Sequence, residues 1–411
     1  MTPATILDSR RSWARLGITL AIAAVGNAGM WTVIVALPAI QADFGLDRAT
    51  ATLTYVATML GFAAGNVLAG RLVDRHGIAP TLALSVVAVG LGHVAVALSP
   101  SIWLIALAQL MVGLGTAASF GPLMADISHW FLKRRGIAVS IAASGNYLSG
   151  VIWPLALTSG IETFGWRPAY AALGIALALI VLPLSLALRT PVPAEARAAA
   201  DRAASARATA TRMSPRRLQI LLALAGVACC VAMSMPQVHI VAYCIDLGFG
   251  PAVGAEMLSL MLLGGIGSRL ISGLLADRFG GMATLLLGSG LQMLALFLYL
   301  PVNGLVPLYV VSLIFGLSQG GIVPAYAVIV REHMPAAEAG ARVGVVMMAT
   351  IIGMALGGWL SGAIYDLTGS YTWAFLNGIG WNALNLALAL FILLRGRPLH
   401  PRAFAPKAAA T

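Results

Sequence analysis

The sequence predicts an all-α integral membrane protein with twelve transmembrane helices in two pseudo-symmetric bundles of six. Three observations support this: an apolar composition, twelve apolar runs and an internal repeat. Of the 411 residues, 60% are hydrophobic and only 9% are charged, and the mean hydropathy is +0.91. Soluble globular proteins of this length do not have such a composition. We therefore treat apolar spans, rather than soluble domains, as the structural unit.

Each apolar run has about the length that a helix needs to cross a hydrocarbon core of ~30 Å. The predicted spans are 14–38, 50–70, 78–98, 102–125, 136–158, 167–188, 218–243, 253–274, 281–300, 306–329, 341–364 and 372–394. The long polar stretch from Thr190 to Arg217 separates the sixth span from the seventh and is rich in alanine and arginine. We therefore expect an N-terminal bundle (1–189), a cytoplasmic linker (190–216) and a C-terminal bundle with a short cytoplasmic tail (217–411).

A charged motif occurs twice, at corresponding places in the two halves. Residues 70–77 read G-R-L-V-D-R-H-G and residues 273–280 read G-L-L-A-D-R-F-G, an offset of 203 positions. We expect each copy to form a tight hydrophilic turn between two spans. A single copy would mark only a membrane hairpin. Two copies at this offset indicate duplication of a six-helix unit, which is how many transporter folds are built.

The basic residues are confined to one set of alternate loops. Twenty-two of the 25 lysines and arginines lie in those loops, whereas the opposite loops contain only Arg48 and Arg167. This bias predicts that both termini are cytoplasmic and that the chain crosses a plasma (inner) membrane. The net charge of +11 therefore reflects membrane orientation, and we expect no nucleic-acid partner.

The remaining basic residue, Arg269, lies inside the eighth span. It stands eight residues before Asp277, which places it ~12 Å from the cytoplasmic turn at a rise of ~1.5 Å per residue. A charge near mid-membrane costs about 2.5 to 3.5 kcal/mol and is retained only with a partner. No acidic residue lies in the middle of any span, and Asp126 near the inner end of span four is the closest candidate. The planar guanidinium of Arg269 therefore suits an anionic ligand such as a carboxylate.

Further polar side chains are candidates for the same cavity. His239 follows Pro236 in span seven and could take up a proton near neutral pH. Counting residues places His239 nearer the outside than Arg269, so a kink at Pro236 or an early start of this span would be needed to bring them together. For the other candidates a hydrogen bond between helices is a commoner role than a substrate contact; they are Asn27, Gln109, Asn146, Tyr147, Gln319 and Tyr326.

The twelve spans, the duplicated motif and the central loop together resemble the major facilitator superfamily. That resemblance implies two bundles around a central cavity and alternating access by rocking of one bundle against the other. The stretch Trp130 to Gly136 and the segment from His239 to Arg278 resemble, more narrowly, the monocarboxylate transporter branch and its bacterial oxalate/formate-type relatives. In that branch an arginine of span eight meets the substrate carboxylate, which implies this role for Arg269. The chain departs from the branch at Gly265, where animal members carry an aspartate, and it has no lysine in span one or span eleven.

The resemblance and the residues together predict a secondary active transporter of small organic monoanions, of the lactate or pyruvate class, with a proton as the coupling ion. We expect a monomer in the lipid bilayer that needs no metal or cofactor. The repeated motif is expected to act as a conformational gate, through Gly70, Asp74, Arg75, Gly77, Gly273, Asp277, Arg278 and Gly280.

Two alternatives remain open at this point: an exporter of drugs or other small molecules with the same fold, and a non-transporting membrane sensor. An enzyme is not expected, because the six histidines are scattered over different segments and no nucleophile stands near a base. The three cysteines lie in one apolar segment without metal-ligand spacing, so we expect them to be buried packing residues.

Overall fold

The computed structural model describes residues 7–131, 134–191, 213–302, 304–334 and 336–395. Within these ranges the regular structure is helical and contains no strand. Most of the predicted linker, together with the tail beyond Arg395, lies outside the described residues.

The N-terminal bundle contains six spans, which we number in chain order. Span one comprises two helices, Arg10–Gly26 and Ala28–Phe44, and span four comprises Ile102–Thr116, a 3-10 turn at Ala117–Ser119 and Gly121–Ser128. The remaining spans are single helices: Arg48–His76 (two), Ile78–Leu98 (three), Arg135–Phe164 (five) and Trp166–Leu186 (six).

The C-terminal bundle contains spans seven to twelve. Span ten comprises two helices, Leu305–Gln319 and Ile322–His333. The others are single helices: Pro215–Asp246 (seven), Pro251–Phe279 (eight), Gly281–Tyr299 (nine), Ala336–Thr368 (eleven) and Tyr371–Arg395 (twelve). Pro236 does not interrupt span seven, which runs as one helix through it. A proline removes one backbone hydrogen bond, and packing of this helix against spans eleven and twelve holds it together.

Eleven of these spans, judged on the described residues, are long and apolar enough to cross a membrane. Span five is not among them, although it has 30 residues. It carries Asn146, Tyr147 and several serines, and it packs against span one on one side and span eight on the other. A helix enclosed in this way can carry polar side chains that face protein rather than lipid.

The two bundles meet along two seams, with span five against span eight and span two against span eleven. Glycines permit close approach in both seams. A Cβ atom at Gly150 of span five would collide with the Leu262 side chain of span eight, and one at Gly358 of span eleven would lie 3.0 Å from the Tyr55 ring of span two. Gly150 and Gly358 are therefore packing positions between the two bundles.

The repeated charged motif does not form a loop, which corrects the expectation of a hydrophilic turn. In each copy the first residues belong to the end of the preceding helix, and the final glycine alone makes the turn. Gly77 and Gly280 adopt φ values of 85° and 84°, a conformation that L residues rarely adopt.

The predicted gate residues are described only in part. Arg75 and Arg278 are exposed at the two helix ends, while the side chains of Asp74 and Asp277 lie outside the described structure. A Cβ atom at Gly273 would lie 3.6 Å from the Ser140 hydroxyl of span five, whereas Gly70 and Gly77 have no comparable neighbour. The gating role of the motif therefore stays a prediction.

Candidate functional site

Arg269 lies at the seam between spans five and eight and is 6% exposed. Its Nη1 donates to the carbonyl of Ala143 in the opposite bundle at 2.6 Å, and its Nε donates to the carbonyl of Gly320 at 3.2 Å. The guanidinium carbon lies 4.0 Å from the centroid of the Tyr147 ring. Among the described residues no carboxylate forms an ion pair with Arg269. The charge is therefore held by neutral carbonyls and an aromatic face.

Asp126, the nearest acidic candidate in the sequence, pairs with a different arginine. It accepts from Nε and Nη2 of Arg15 at 3.0 and 2.8 Å. Arg15 was counted with the loop residues, yet it is a buried side chain of span one. This pairing explains why Asp126 does not neutralise Arg269.

Gly265, one turn before Arg269, makes room for Tyr147. A Cβ atom at this position would lie 2.7 Å from the tyrosine ring, which is closer than real Cβ atoms approach. The position at which the sequence departs from the resembled branch is therefore covered by an aromatic ring from the other bundle.

The break in span ten exposes backbone acceptors beside Arg269. The helix ends at Gln319 and resumes at Ile322, which frees the Gly320 carbonyl for the arginine. The Oε1 atom of Gln319 accepts from Gln237 of span seven at 2.5 Å. The Nε2 atom of Gln319 is buried without a partner among the described residues. A buried donor of this kind is costly unless a ligand or water accepts its hydrogen bond.

Asn27 sits at the break in span one and ties that break to spans four and five. Its Nδ2 atom donates to the carbonyls of Ala23 and Ser119 at 2.8 and 2.9 Å. Its Oδ1 atom accepts from Nδ2 of Asn146 at 3.2 Å. Asn27 therefore fixes span five to span one at the residue before Tyr147.

Two sequence candidates make their contacts inside one bundle. Gln109 accepts from the Thr58 hydroxyl and donates to the Tyr170 hydroxyl, both at 3.2 Å. Tyr326 donates to Asn385 of span twelve at 2.7 Å. No described contact joins either residue to Arg269.

His239 is 1% exposed and lies apart from Arg269. Its Nε2 atom is 2.8 Å from the Gly358 carbonyl, and its Nδ1 atom is 3.1 Å from the Tyr371 hydroxyl. No described contact links the histidine to the arginine. The described contacts therefore do not join these two candidate residues.

Sequence reasoning missed a second group of charges at the far end of the bundles. Arg48 of span two donates to both carboxylate oxygens of Asp246 in the C-terminal bundle, at 2.7 and 2.6 Å. The available signals were the rarity of basic residues in these loops and the repeat of Asp43-Phe44-Gly45 as Asp246-Leu247-Gly248. The repeat does not predict the partner, because Asp43 pairs with Arg167 inside its own bundle.

Two helical bundles that meet at a buried arginine, with interrupted spans one, four and ten inside them, have the architecture of a transmembrane carrier. A family model described as Major Facilitator Superfamily matches residues 19–341 and 302–410, so the chain belongs to this superfamily. It is therefore a multi-pass membrane transporter and not an enzyme.

The relatives agree with this assignment. Human monocarboxylate transporter 11 is 29% identical over 390 residues, covering 91% of this chain and 81% of that protein. Agnestins efflux protein AgnL12 of Paecilomyces divaricatus is 26% identical over 365 residues, covering 86% and 80%. The xylose transporter XylE from E. coli, in a partially occluded inward open conformation, superposes with a TM-score of 0.70 at 13% identity and covers 94% of this chain and 98% of that one. This last likeness shows the fold alone.

Proposed function

We propose that the chain is a proton-coupled secondary active transporter of small organic monoanions, of the lactate or pyruvate class, working by alternating access. The observation that carries this proposal is the state of Arg269, a buried guanidinium held by the carbonyls of Ala143 and Gly320. These neutral carbonyls accept two of its five N–H hydrogens and leave its charge uncompensated. A ligand carboxylate would accept further hydrogen bonds and compensate the charge.

The preference for a monoanion follows from counting charges. A carboxylate accepts two parallel hydrogen bonds from a guanidinium, and such charge-assisted bonds are roughly twice as strong as neutral ones. Arg269 provides a single positive charge. A second carboxylate on the substrate would be buried without a partner among the described residues, at a cost of several kcal/mol. Gln319 offers a further donor, its unpartnered Nε2 atom, which could bind a hydroxyl or keto oxygen of a short acid.

Binding at Arg269 would also act on the contact between bundles. The Ala143 carbonyl belongs to span five, whereas Arg269 belongs to span eight. A carboxylate that accepts from Nη1 replaces this contact across the seam. Substrate binding would therefore loosen the seam that must open and close in alternating access.

The proton and the carboxylate are proposed to bind at separate positions. His239 shares no described contact with Arg269, and its ring bonds to spans eleven and twelve instead. One proton carried with one monoanion makes the net transport electroneutral.

The relatives' names support the two transport hypotheses unequally. A monocarboxylate transporter aligns with nearly the whole chain, in agreement with a small carboxylate substrate. The similarity to a fungal efflux protein keeps export of a drug or other small molecule as the second candidate. We further propose that both termini are cytoplasmic, that 1–189 and 217–411 move as the two bundles on either side of the linker 190–216, and that the monomer resides in a plasma (inner) membrane.

Uptake by liposomes that contain the purified full chain tests the proposal. An imposed inward proton gradient should drive accumulation of labelled lactate or pyruvate, and a protonophore should abolish it. A dicarboxylate such as oxalate and a primary amine, tested in parallel, should not accumulate. Accumulation of the amine alone, or indifference of monocarboxylate uptake to the gradient, would reject the proposed substrate class or the coupling ion.

A further inference from the structure

The far ends of the two bundles are joined by Arg48, which begins span two. Its guanidinium pairs with Asp246, and its central carbon lies 3.7 Å from the centroid of the Tyr365 ring. Asp246 and Tyr365 belong to spans seven and eleven of the C-terminal bundle. An arginine of one bundle is thus seated between a carboxylate and an aromatic face of the other, an arrangement that favours a cation. We call this contact, made by Arg48, Asp246, Tyr365, Asp366 and Tyr371, the outer gate.

Asp366 makes a second contact in the outer gate. Its carboxylate accepts from the backbone amides of Arg48 and Ala49 at 3.1 and 2.7 Å. The first amides of a helix lack intrahelical partners and favour negative charge. A Cβ atom at Gly362, one turn earlier, would lie 3.2 Å from the Ala49 nitrogen. Span eleven therefore caps span two at close range.

Tyr371 connects the outer gate to His239. Its hydroxyl lies 2.6 Å from Nη1 of Arg48 and 3.1 Å from Nδ1 of His239. The Nε2 atom of the histidine faces the Gly358 carbonyl, which can only accept, so we assign the hydrogen to Nε2. Nδ1 is then an acceptor, and the Tyr371 hydroxyl donates to it. The bonds thus run in one direction, from Arg48 to Tyr371 to His239.

A proton on Nδ1 is incompatible with this arrangement. The nitrogen would become a donor, and the Tyr371 oxygen would face two donors while its own hydrogen had to turn away. The imidazolium would also stand one hydroxyl away from the guanidinium of Arg48, and like charges at such range repel. The carboxylates that could offset this charge are already engaged by Arg48 and by the amides of span two.

The titratable and charged groups around His239 come from every helix that packs there. They are Arg48 and Tyr55 of span two, Tyr243 and Asp246 of span seven, Tyr365 and Asp366 of span eleven, and Tyr371 of span twelve. Of these, Tyr371 is the group that bonds the histidine ring directly through its side chain.

We propose that protonation of His239 and closure of the outer gate exclude one another. Opening takes one proton from water onto Nδ1, and closing returns it when the Tyr371 hydroxyl bonds this nitrogen again. Coupling is reciprocal, so low external pH favours the outward-open state that loads substrate. The role in transport rests on the proposed proton coupling, whereas the gate geometry does not depend on the substrate.

The test measures the distance between the outer ends of the bundles in the purified full chain without substrate. Spin labels are attached at Ala42→Cys and Leu367→Cys, because both positions are exposed while the three native cysteines are buried. The open fraction should increase as pH falls from about 8 to about 5.5, with a ratio of open to closed that changes by up to about tenfold per pH unit for one proton.

Three variants test whether the pH response of the outer gate depends on the hydrogen bond between Tyr371 and His239. His239→Gln should remove the pH response. Tyr371→Phe keeps the pair of Arg48 with Asp246 but lacks the hydroxyl, so it should show a much smaller response. His93→Gln alters a buried histidine of the other bundle, whose Nδ1 contacts the Val89 carbonyl of its own helix, and should respond as the parent does.

A parent distance that is independent of pH, or a response that persists in His239→Gln, overturns the proposal. If His239→Gln does not fold, an unchanged response in Tyr371→Phe overturns it equally. Proton-driven uptake with a pH-independent gate would leave the proposed function standing without this inference. A pH-dependent gate in a protein that takes up no monocarboxylate would support this inference and reject the proposed substrate class.

Discussion

Arg15 of span one places two nitrogen atoms on a single oxygen of Asp126, at 3.0 Å from Nε and 2.8 Å from Nη2. The same guanidinium also donates to the carbonyls of Leu188 and Thr190, just after span six. The Trp130 ring covers the charge, with its centroid 4.6 Å from the central carbon. One side chain therefore holds together the ends of three spans of the N-terminal bundle.

Asp126→Asn should destabilise the protein strongly. Removing one partner of a buried pair leaves an uncompensated charge and costs about 3 to 5 kcal/mol. Thermal unfolding in detergent should show a marked drop in the midpoint, whereas the double variant Arg15→Met with Asp126→Leu should recover much of the loss. An unfolding midpoint of Asp126→Asn equal to that of the parent would mean that the pair does not stabilise the bundle.

Arg269→Lys should retain weak substrate binding, because it keeps the charge but loses the planar fork. Arg269→Ala should abolish uptake, since no other described side chain supplies a positive charge at this seam. Binding measured with a radiolabelled monocarboxylate separates the two variants. Arg11→Lys, at an exposed arginine of span one, is the control and should bind as the parent does. Parent-like affinity in Arg269→Ala would show that the carboxylate binds elsewhere.

Two glycines two residues apart in span eight should respond differently to alanine. At Gly265 a Cβ atom would lie 2.7 Å from the Tyr147 ring, whereas at Gly267 the nearest atom is 3.9 Å away. Gly267→Ala should raise the free energy of unfolding by about 0.5 to 1 kcal/mol through helix propensity. Gly265→Ala should displace Tyr147 from Arg269 and weaken substrate binding. Equal binding and equal stability in both variants would argue that the ring position does not matter.

Asp74→Asn and Asp277→Asn should slow transport and leave substrate affinity within a few fold. The reason is that the duplicated motif lies at helix ends on the linker side, far along the helix from the predicted binding residue of span eight. Exchange rates and equilibrium binding, measured on the same preparations, distinguish turnover from affinity. A large loss of affinity with unchanged turnover contradicts the gating role.

Membrane topology is tested from both sides. Protease should cut residues 190–216 only from the cytoplasmic side, as the distribution of arginines predicts. A cysteine at Ala42, close to the turn at Gly45 that ends span one, should react with an impermeant reagent only from outside. Reaction at both places from one side would contradict the twelve-span topology.

The sequence predicts Arg269 inside span eight, and the structure has it buried in that helix, but the groups that surround it could not be predicted from the sequence. Its partners are the carbonyls of Ala143 and Gly320, and every residue has a carbonyl, so side-chain patterns carry no signal for them. The pairing of Arg15 with Asp126 spans 111 positions, and hydropathy does not link residues so far apart. The duplicated motif predicted the superfamily fold reliably because repetition at a fixed offset is itself a sequence property.

The unbroken helix of span seven has a mechanical consequence. It runs for 32 residues from Pro215 to Asp246, which corresponds to about 48 Å at 1.5 Å per residue. Spans one, four and ten are interrupted and can bend, whereas we expect span seven, as one continuous helix, to tilt as a rigid body. A tilt of about 10° around its midpoint would move each end by about 4 Å. That displacement exceeds the 2.6 and 2.7 Å distances between Arg48 and Asp246. A tilt of span seven that starts at its linker end would therefore break this ion pair at the opposite face of the membrane.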